Sequence, residues 1–301
     1  MRFGKSCDWI DAASVYKGRG VTGTERRSPM LAPRSSSLLF VRMVLAVIVP
    51  ATVMNAQAVQ PASIVKPGSS PRSWSIFTEY SPGSSHIILG YSNQREFVTL
   101  GAGFTQRLFR NRVWSLNYRA EIRPLMVESD PVLTGQYYDI NLPAVGGYPA
   151  LQAAGYYRLP QEIPVLSTAV KSQNYSFNYN GQNYYQNYTF TYGRRWTYAA
   201  GLSPAGLEAK FFPHSKIQPV LTLMTGFAVS PRDIPIFDSS AFNFTFSFGA
   251  GLELFRTANR SMRVEYRIQH LSNADLGATN PGIDSQMIHV GYSWGRKGLF
   301  R

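Results

Sequence analysis

His270, Ser272 and Asp284 are the residues of this 301-residue chain whose types and spacing best suit chemistry. A hydroxyl, an imidazole and a carboxylate together make a hydrolytic set. The serine attacks a carbonyl, and the imidazole takes its proton and later hands it to the leaving group. The carboxylate holds the imidazole's tautomer and stabilises the imidazolium. By spacing alone His-x-Ser carries little information, since a Ser-Asn pair also opens ordinary turns. Strand phase carries more.

In 260–270, Met262, Val264, Tyr266 and Ile268 share one face, and Ser261, Arg263, Glu265, Arg267 and Gln269 share the other. His270 continues the apolar series, and Ser272 follows it if the strand persists. In 284–294 the apolar series is Ile288, Val290, Tyr292 and Trp294, and counting back by two gives Gln286 and then Asp284. An antiparallel hairpin centred near Gly277 sets Asp284 opposite His270. His270 and Ser272 stand about 6–7 Å apart in backbone, within side-chain reach. Asn273 and nearby backbone N–H groups are the candidates for an oxyanion hole. His289 falls on the inward face, His86 and His214 sit near loops, and Tyr292 and Trp294 suit an aromatic belt.

The elements that must position these residues repeat the alternation. In 241–255, Phe242, Phe244, Phe246, Phe248, Leu252 and Leu254 face one way and Asn243, Thr245, Ser247 and Glu253 the other. In 112–124, Trp114, Leu116, Tyr118 and Ile122 oppose Ser115, Asn117, Arg119, Glu121 and Arg123. Two strands thus carry an Arg/Glu/Arg ladder on their polar face, where charges of both signs can pair. A soluble sheet gives the same alternation. Length separates the two, because ordinary strands run about 5–6 residues and membrane-spanning ones about 9–11. Further strands are predicted near 73–92, 95–106, 196–211, 216–227 and 284–294. The first is interrupted at Ser81-Pro82-Gly83 and reads as one strand or two. Eight strands can close with no open edge.

The connections at 107–112, 212–215 and 257–259 are short, and those at 125–195, 228–240 and 271–283 are long, as in outer-membrane barrels. The expectation is an all-β chain, an eight-stranded antiparallel transmembrane β-barrel with a long extracellular loop over 125–195. That loop is rich in Tyr, Asn, Gln and Pro and reads as an aromatic lid or an irregular surface loop. The 271–283 connection is then extracellular, and the three site residues emerge from the lipid-facing wall at the outer leaflet. A polar residue there needs a reason, and function is the first one to consider.

Composition agrees. Charged residues are 16% of the chain, below the ~25% of soluble domains, and mean hydropathy is slightly negative, which excludes a helical membrane protein. The net charge of +13 comes without a nucleic-acid motif, so an anionic lipid surface is the expected partner and nucleic acid is not. The lone Cys7 and four scattered histidines give no disulfide and no metal-ligand spacing, and neither cofactor nor metal is expected. Within residues 37–54 the uninterrupted apolar run comes after Arg42; Arg34 and Arg42 precede it and Ala56-Gln57-Ala58, a small-x-small cleavage pattern, follows. The expected organisation is a signal peptide over 1–58, a linker over 59–72, a barrel domain over 73–295 and a tail over 296–301. Residues 1–29 are unlike a signal n-region and suggest a mis-called start, with Met30 the true one.

The run His270-Leu271-Ser272-Asn273-Ala274, followed by Asn280-Pro281-Gly282, resembles the signature of the lipid A 3-O-deacylase (PagL-type) family, also called acyloxyacyl hydrolases. Glu121-Ile122-Arg123-Pro124-Leu125 and Gly201-Leu202-Ser203-Pro204-Ala205-Gly206-Leu207 resemble it more loosely. The resemblance spans about 72–295 and is specific only over the last thirty residues. It implies a carboxylic ester hydrolase of the bacterial outer membrane, acting on lipid A of lipopolysaccharide without a metal. Ser272 would be the nucleophile, His270 the base, Asp284 the carboxylate and Asn273 the oxyanion candidate. The family carboxylate is usually Glu, one methylene longer than Asp284, and the 125–195 segment is longer than the family leads one to expect. The alternatives are a structural or adhesive barrel without chemistry, and a phospholipase or acyltransferase barrel. A homodimer is left open.

Overall fold

The computed structural model describes residues 70–296. The expected signal peptide, nearly all of the linker and the tail from 297 onward lie outside the described residues. The described residues form ten strands: β1 (Arg72–Ser81), β2 (Glu96–Arg110), β3 (Trp114–Leu142), β4 (Leu151–Pro164), β5 (Ser172–Tyr179), β6 (Gln182–Phe211), β7 (Ile217–Ile234), β8 (Ser240–Thr257), β9 (Arg260–Ser272) and β10 (Ile283–Arg296). Eight of them, in the order β3-β2-β1-β10-β9-β8-β7-β6, are joined edge to edge. β6 pairs back onto β3, closing an antiparallel ring. Closure leaves no row of unpaired backbone groups facing hydrocarbon, where each such group would cost several kcal/mol.

The faces are those the alternation predicts. Asn243, Thr245 and Ser247 are buried in the lumen, whereas Phe244, Phe246 and Phe248 stand on the outside. Trp74, Ile76, Leu221, Leu223, Val264, Tyr266 and Ile288 extend this apolar belt around the ring. The interior is polar and tightly paired. Five carboxylates, of Glu79, Glu121, Glu208, Glu253 and Glu265, meet five cations, of Arg119, Arg123, Lys210, Arg263 and Arg267. Arg267 alone touches Glu79 at 2.8 Å and Glu121 and Glu265 each at 3.0 Å. Arg263 reaches Glu208 at 2.5 Å and Glu253 at 2.8 Å. His289 is a lumen residue, its Nδ1 at 3.1 Å from Glu79.

Two expectations need correction. The segment 125–195 is not mainly loop. β3 and β6 are 29 and 30 residues long and stay paired from Trp114↔Phe211 to Asn141↔Tyr185, with register shifts at Arg119/Glu121, Arg123/Met126 and Leu133/Gly135. β4 pairs with the upper part of β3, and β5 with the upper part of β6, so a four-stranded sheet β4-β3-β6-β5 continues beyond the ring. Thirteen residues at about 3.4 Å each carry β3 roughly 40 Å from Asp130 to Leu142. A strand above the lipid needs no apolar outer face, so the period-two pattern disappears there while Tyr, Thr and Phe still favour an extended chain. The turn between β5 and β6 is Asn180-Gly181, both at positive φ (52° and 77°), which a two-residue hairpin of matching twist requires.

The other correction is at 73–92. The strand ends at Ser81, and 82–95 is a loop. Pro82 lacks the N–H that would continue the ladder.

Replacing Arg267 by Met would leave three lumen carboxylates short of a cation. Breaking a buried pair in this way costs about 3–5 kcal/mol. The expected result is a clearly lower urea midpoint for the detergent-refolded barrel. Arg256→Met, on an exposed position, should move it by less than about 0.5 kcal/mol.

Candidate active site

β9 and β10 bring the three residues together at one end of the barrel wall. Their register places Asp284 directly opposite His270, and β8 sets Phe246 beside His270 and Phe244 beside Ser272. His270 Nδ1 lies 2.6 Å from Asp284 Oδ1. With Nδ1 carrying the proton toward the carboxylate, Nε2 is left as the acceptor, the tautomer a general base needs. The His270 and Ser272 side chains are half-buried. Both keep the outward phase of Val264, Tyr266 and Ile268.

Asp284 keeps the same phase yet is fully buried, because the β1–β2 loop folds over it. Its Oδ2 accepts four backbone N–H groups, from Ile87 at 2.9 Å, Ile88 at 2.5 Å, and Leu89 and Gly90 each at 3.0 Å. Successive N–H groups converging on one oxygen form an anion cradle. The loop is a closed excursion. Ser84 Oγ donates to Ser92 O and accepts from Arg95 N, and Gln94 N donates to Ser84 O. It docks on the start of β10 through Ser85 N to Asp284 O, Tyr91 N to Pro281 O and Ser92 N to Gly282 O. Gly90 has no alternative here, since a Cβ would stand 2.5 Å from the Asp284 nitrogen and 2.8 Å from the Ile283 carbonyl carbon. Gly282, at φ 58°, lies against the His270 ring.

Ser272 Oγ donates to Asn280 Oδ1 at 3.0 Å, and the Asn273 backbone N–H donates to the same oxygen at 3.2 Å. A backbone donor at that position marks the atom as oxygen rather than amide nitrogen. The Ala274 N–H points at Ser272 Oγ from 3.2 Å. The hydroxyl is thus held between two groups of its own turn, and its hydrogen bond goes to Asn280 and not to His270. The Asn273 carboxamide braces the turn, with Nδ2 donating to Thr279 O and Oδ1 accepting from Asp275 N. Its side chain is buried, so the N–H groups of Asn273 and Ala274 are the donors that border the hydroxyl. Sequence reading missed the cradle and Asn280. The cradle is made of main-chain groups, which leave no side-chain signature beyond Gly90. Asn280 was visible only as part of the Asn280-Pro281-Gly282 run. Among the described residues no cluster of three His, Cys, Asp or Glu side chains is gathered as a metal site.

The family model for lipid A 3-O-deacylase (PagL) matches residues 156–293, a stretch that contains β5 to β9, most of β10 and every residue of the His270–Asp284 constellation. The resemblance to the PagL family holds. Among solved structures, the outer membrane enzyme PagL is similar at 14% identity, over 72% of this chain and 97% of that one, with a TM-score of 0.40. Neisserial surface protein A (NspA) is similar at 11% identity, over 75% and 98% of the two chains, with a TM-score of 0.36. The outer membrane protein OprG from Pseudomonas aeruginosa is similar at 11% identity, over 78% and 100%, with a TM-score of 0.36. No curated protein matches the chain. The protein is a β-barrel of the bacterial outer membrane, with a PagL-type segment that carries the candidate site.

A Cβ at position 90 must push the loop off Asp284. In Gly90→Ala, the strongly deshielded proton expected of the short His270–Asp284 bond should vanish from the NMR spectrum, while the barrel's amide dispersion persists. Retention of that resonance would show that the loop does not set the bond.

Proposed function

We propose that this protein is a lipid A deacylase that hydrolyses an ester-linked acyl chain, the 3-O chain by family analogy, with Ser272 as nucleophile, His270 as general base and Asp284 as its orienting carboxylate. One observation carries the reading: a 2.6 Å His270–Asp284 bond on the outer face of a closed barrel, with a serine two residues along the same strand face. A site on that face meets its substrate within the leaflet, so an amphiphile with an ester near the headgroup suits it better than a soluble ester.

In this mechanism Ser272 turns its proton from Asn280 to His270 Nε2 as Oγ attacks the ester carbonyl. The C–O bond to the sugar then breaks, His270 returns the proton to the departing sugar oxygen, and water repeats the cycle to release the fatty acid. The Asn273 and Ala274 N–H groups are the proposed oxyanion donors, Asn273 acting through its main chain. The cradle keeps Asp284 ionised and immobile, so the developing imidazolium meets a charge already in place.

Expression of the wild-type chain in a Gram-negative host should lower the mass of lipid A by one acyl group. Ser272→Ala and His270→Ala should leave that mass unchanged. Asp284→Asn should cut the rate by roughly 10³–10⁴-fold through loss of tautomer control. Equal mass loss with wild type and Ser272→Ala removes Ser272 as nucleophile.

A second reading, surface adhesion, is favoured by the distal sheet, where Tyr137, Tyr156, Tyr157 and Tyr175 are exposed amid neutral Asn and Gln. It expects that joining the register partners Val132 and Gly193, thereby deleting that sheet, abolishes cell-surface binding while His270→Ala leaves it intact.

A further inference from the structure

Arg95 stands above the lumen, outside the constellation just described, and is fully buried. A guanidinium has five N–H groups, and here each has an acceptor. Nε donates to Asp130 Oδ1 at 3.1 Å. Nη1 donates to Asn93 O at 3.2 Å and Leu166 O at 3.4 Å. Nη2 donates to Val165 O at 2.8 Å and Pro235 O at 3.2 Å. Four of the five acceptors are main-chain carbonyls, and they come from three separate extracellular connections. Asp130 balances the charge, and Glu128 lies 3.4 Å from Nε. Arg194 adds a second clasp on the same loop, donating to Gln94 O and Ser129 O.

Two of these connections hold the candidate site. The β1–β2 connection, fixed at Asn93 and at the Arg95 main chain, is the loop whose N–H groups cradle Asp284. The β7–β8 connection, fixed at Pro235, ends in Asp238 and Ser239. Thr279 N donates to Asp238 O, Ser239 Oγ lies 3.3 Å from Thr279 Oγ1, and Gly277 packs on the Ser239 carbonyl so closely that a Cβ would clash. Thr279 adjoins Asn280, which accepts the Ser272 proton, and Thr279 O holds Asn273. One side chain therefore ties down the support of the carboxylate and the support of the hydroxyl.

We propose that Arg95 is a positioning residue for the reaction: by saturating its guanidinium on three extracellular connections, it holds the Asp284 cradle and the Asn280 turn in mutual register. It touches no substrate and acts through main-chain carbonyls. A lysine in its place would offer three donors from a single nitrogen and could not span the three connections. The proposal rests on the esterase reading for its kinetic consequence, but its structural consequence stands apart from it.

The test uses the full chain refolded in detergent, with Arg95→Met and Arg95→Lys, measuring kcat and KM on lipid A in mixed micelles, the urea midpoint, and the deshielded His270 proton by NMR. In both variants kcat should fall by roughly 10²-fold, the loss expected from about 1 Å of misplacement. KM should stay within about twofold, the barrel should remain folded and the proton signal should disappear. Folded variants with native kcat and an unchanged signal overturn the proposal. So does a loss of activity that only tracks the loss of folded protein, with the signal intact in what remains. If Arg95→Met does not refold, Arg95→Lys, which keeps the charge beside Glu128 and Asp130, decides by the same readings. Failure of both to refold also counts against the proposal, since Arg95 is assigned to loops and not to the ring. Should wild type itself leave lipid A intact, the esterase reading fails, and the NMR comparison still decides whether Arg95 sets the His270–Asp284 bond.

Discussion

Ten charged side chains inside a closed ring must find one another, and this requirement organises the molecule. In the lumen each carboxylate lies against at least one cation, with Arg267 and Arg263 each bridging several. An ion left alone there would bear the full desolvation cost, several kcal/mol even after relaxation. Since the polar residues of every spanning strand are drawn inward by this network, the opposite face of the same strands is left apolar, which is what lipid demands. The pleat does the sorting, because a one-residue slip would turn the Arg/Glu ladders out into hydrocarbon. Register is thereby fixed on both faces at once, and the Asp284↔His270 pairing inherits that precision.

At the site polar groups, two of them ionisable, take the outward phase, and it sits at the strand ends, where their cost in lipid is least. It also brings its own shelter. Asp284 faces four main-chain donors and a histidine, so neither of its oxygens meets hydrocarbon. One oxygen is held by the loop and the other is presented to the imidazole. This division gives a reason for aspartate here. Its short side chain is matched by a loop that comes down to within hydrogen-bond range of it. A longer glutamate would drive its carboxylate into the cradle and press on Gly90, whose main chain already runs against the β10 backbone.

What could be read from the sequence follows from which groups carry side-chain signatures. Eight spanning strands, their inward and outward faces, the hairpin register and the His-x-Ser face were legible, because lipid on one side and paired charge on the other impose a strict period of two. Above the membrane that contrast is absent. Residues 136–142 and 182–195 have no buried face, and their Tyr, Asn and Gln content resembles a loop although the chain is paired strand. Asn180-Gly181 was the available clue, a hairpin turn lying between two runs of β-favouring residues. The cradle could not be read at all, since an N–H is present at every residue except proline. Only a glycine where the chain must pass close to another backbone hints at it.

The distal sheet and the candidate site stand on opposite sides of the ring, the first rising from the β3–β6 seam and the second lying at the β9–β10 seam. They meet across the mouth of the barrel. The connection after β4 crosses over, with Leu166 O accepting from Asn93 N, and Thr168 N and Oγ1 donating to Gln94 Oε1, so the base of the distal sheet rests on the loop that covers Asp284. A load applied to the sheet therefore has a short path to the carboxylate, through main-chain bonds gathered on Arg95. Loops over an open mouth would otherwise move independently. Here the ion pairs of Asp130 with Arg95 and with Arg195 bind strand and loop into one cap. The rigidity that a 2.6 Å His270–Asp284 bond requires is thus supplied from the opposite wall of the barrel as well as from the strands that bear those two residues.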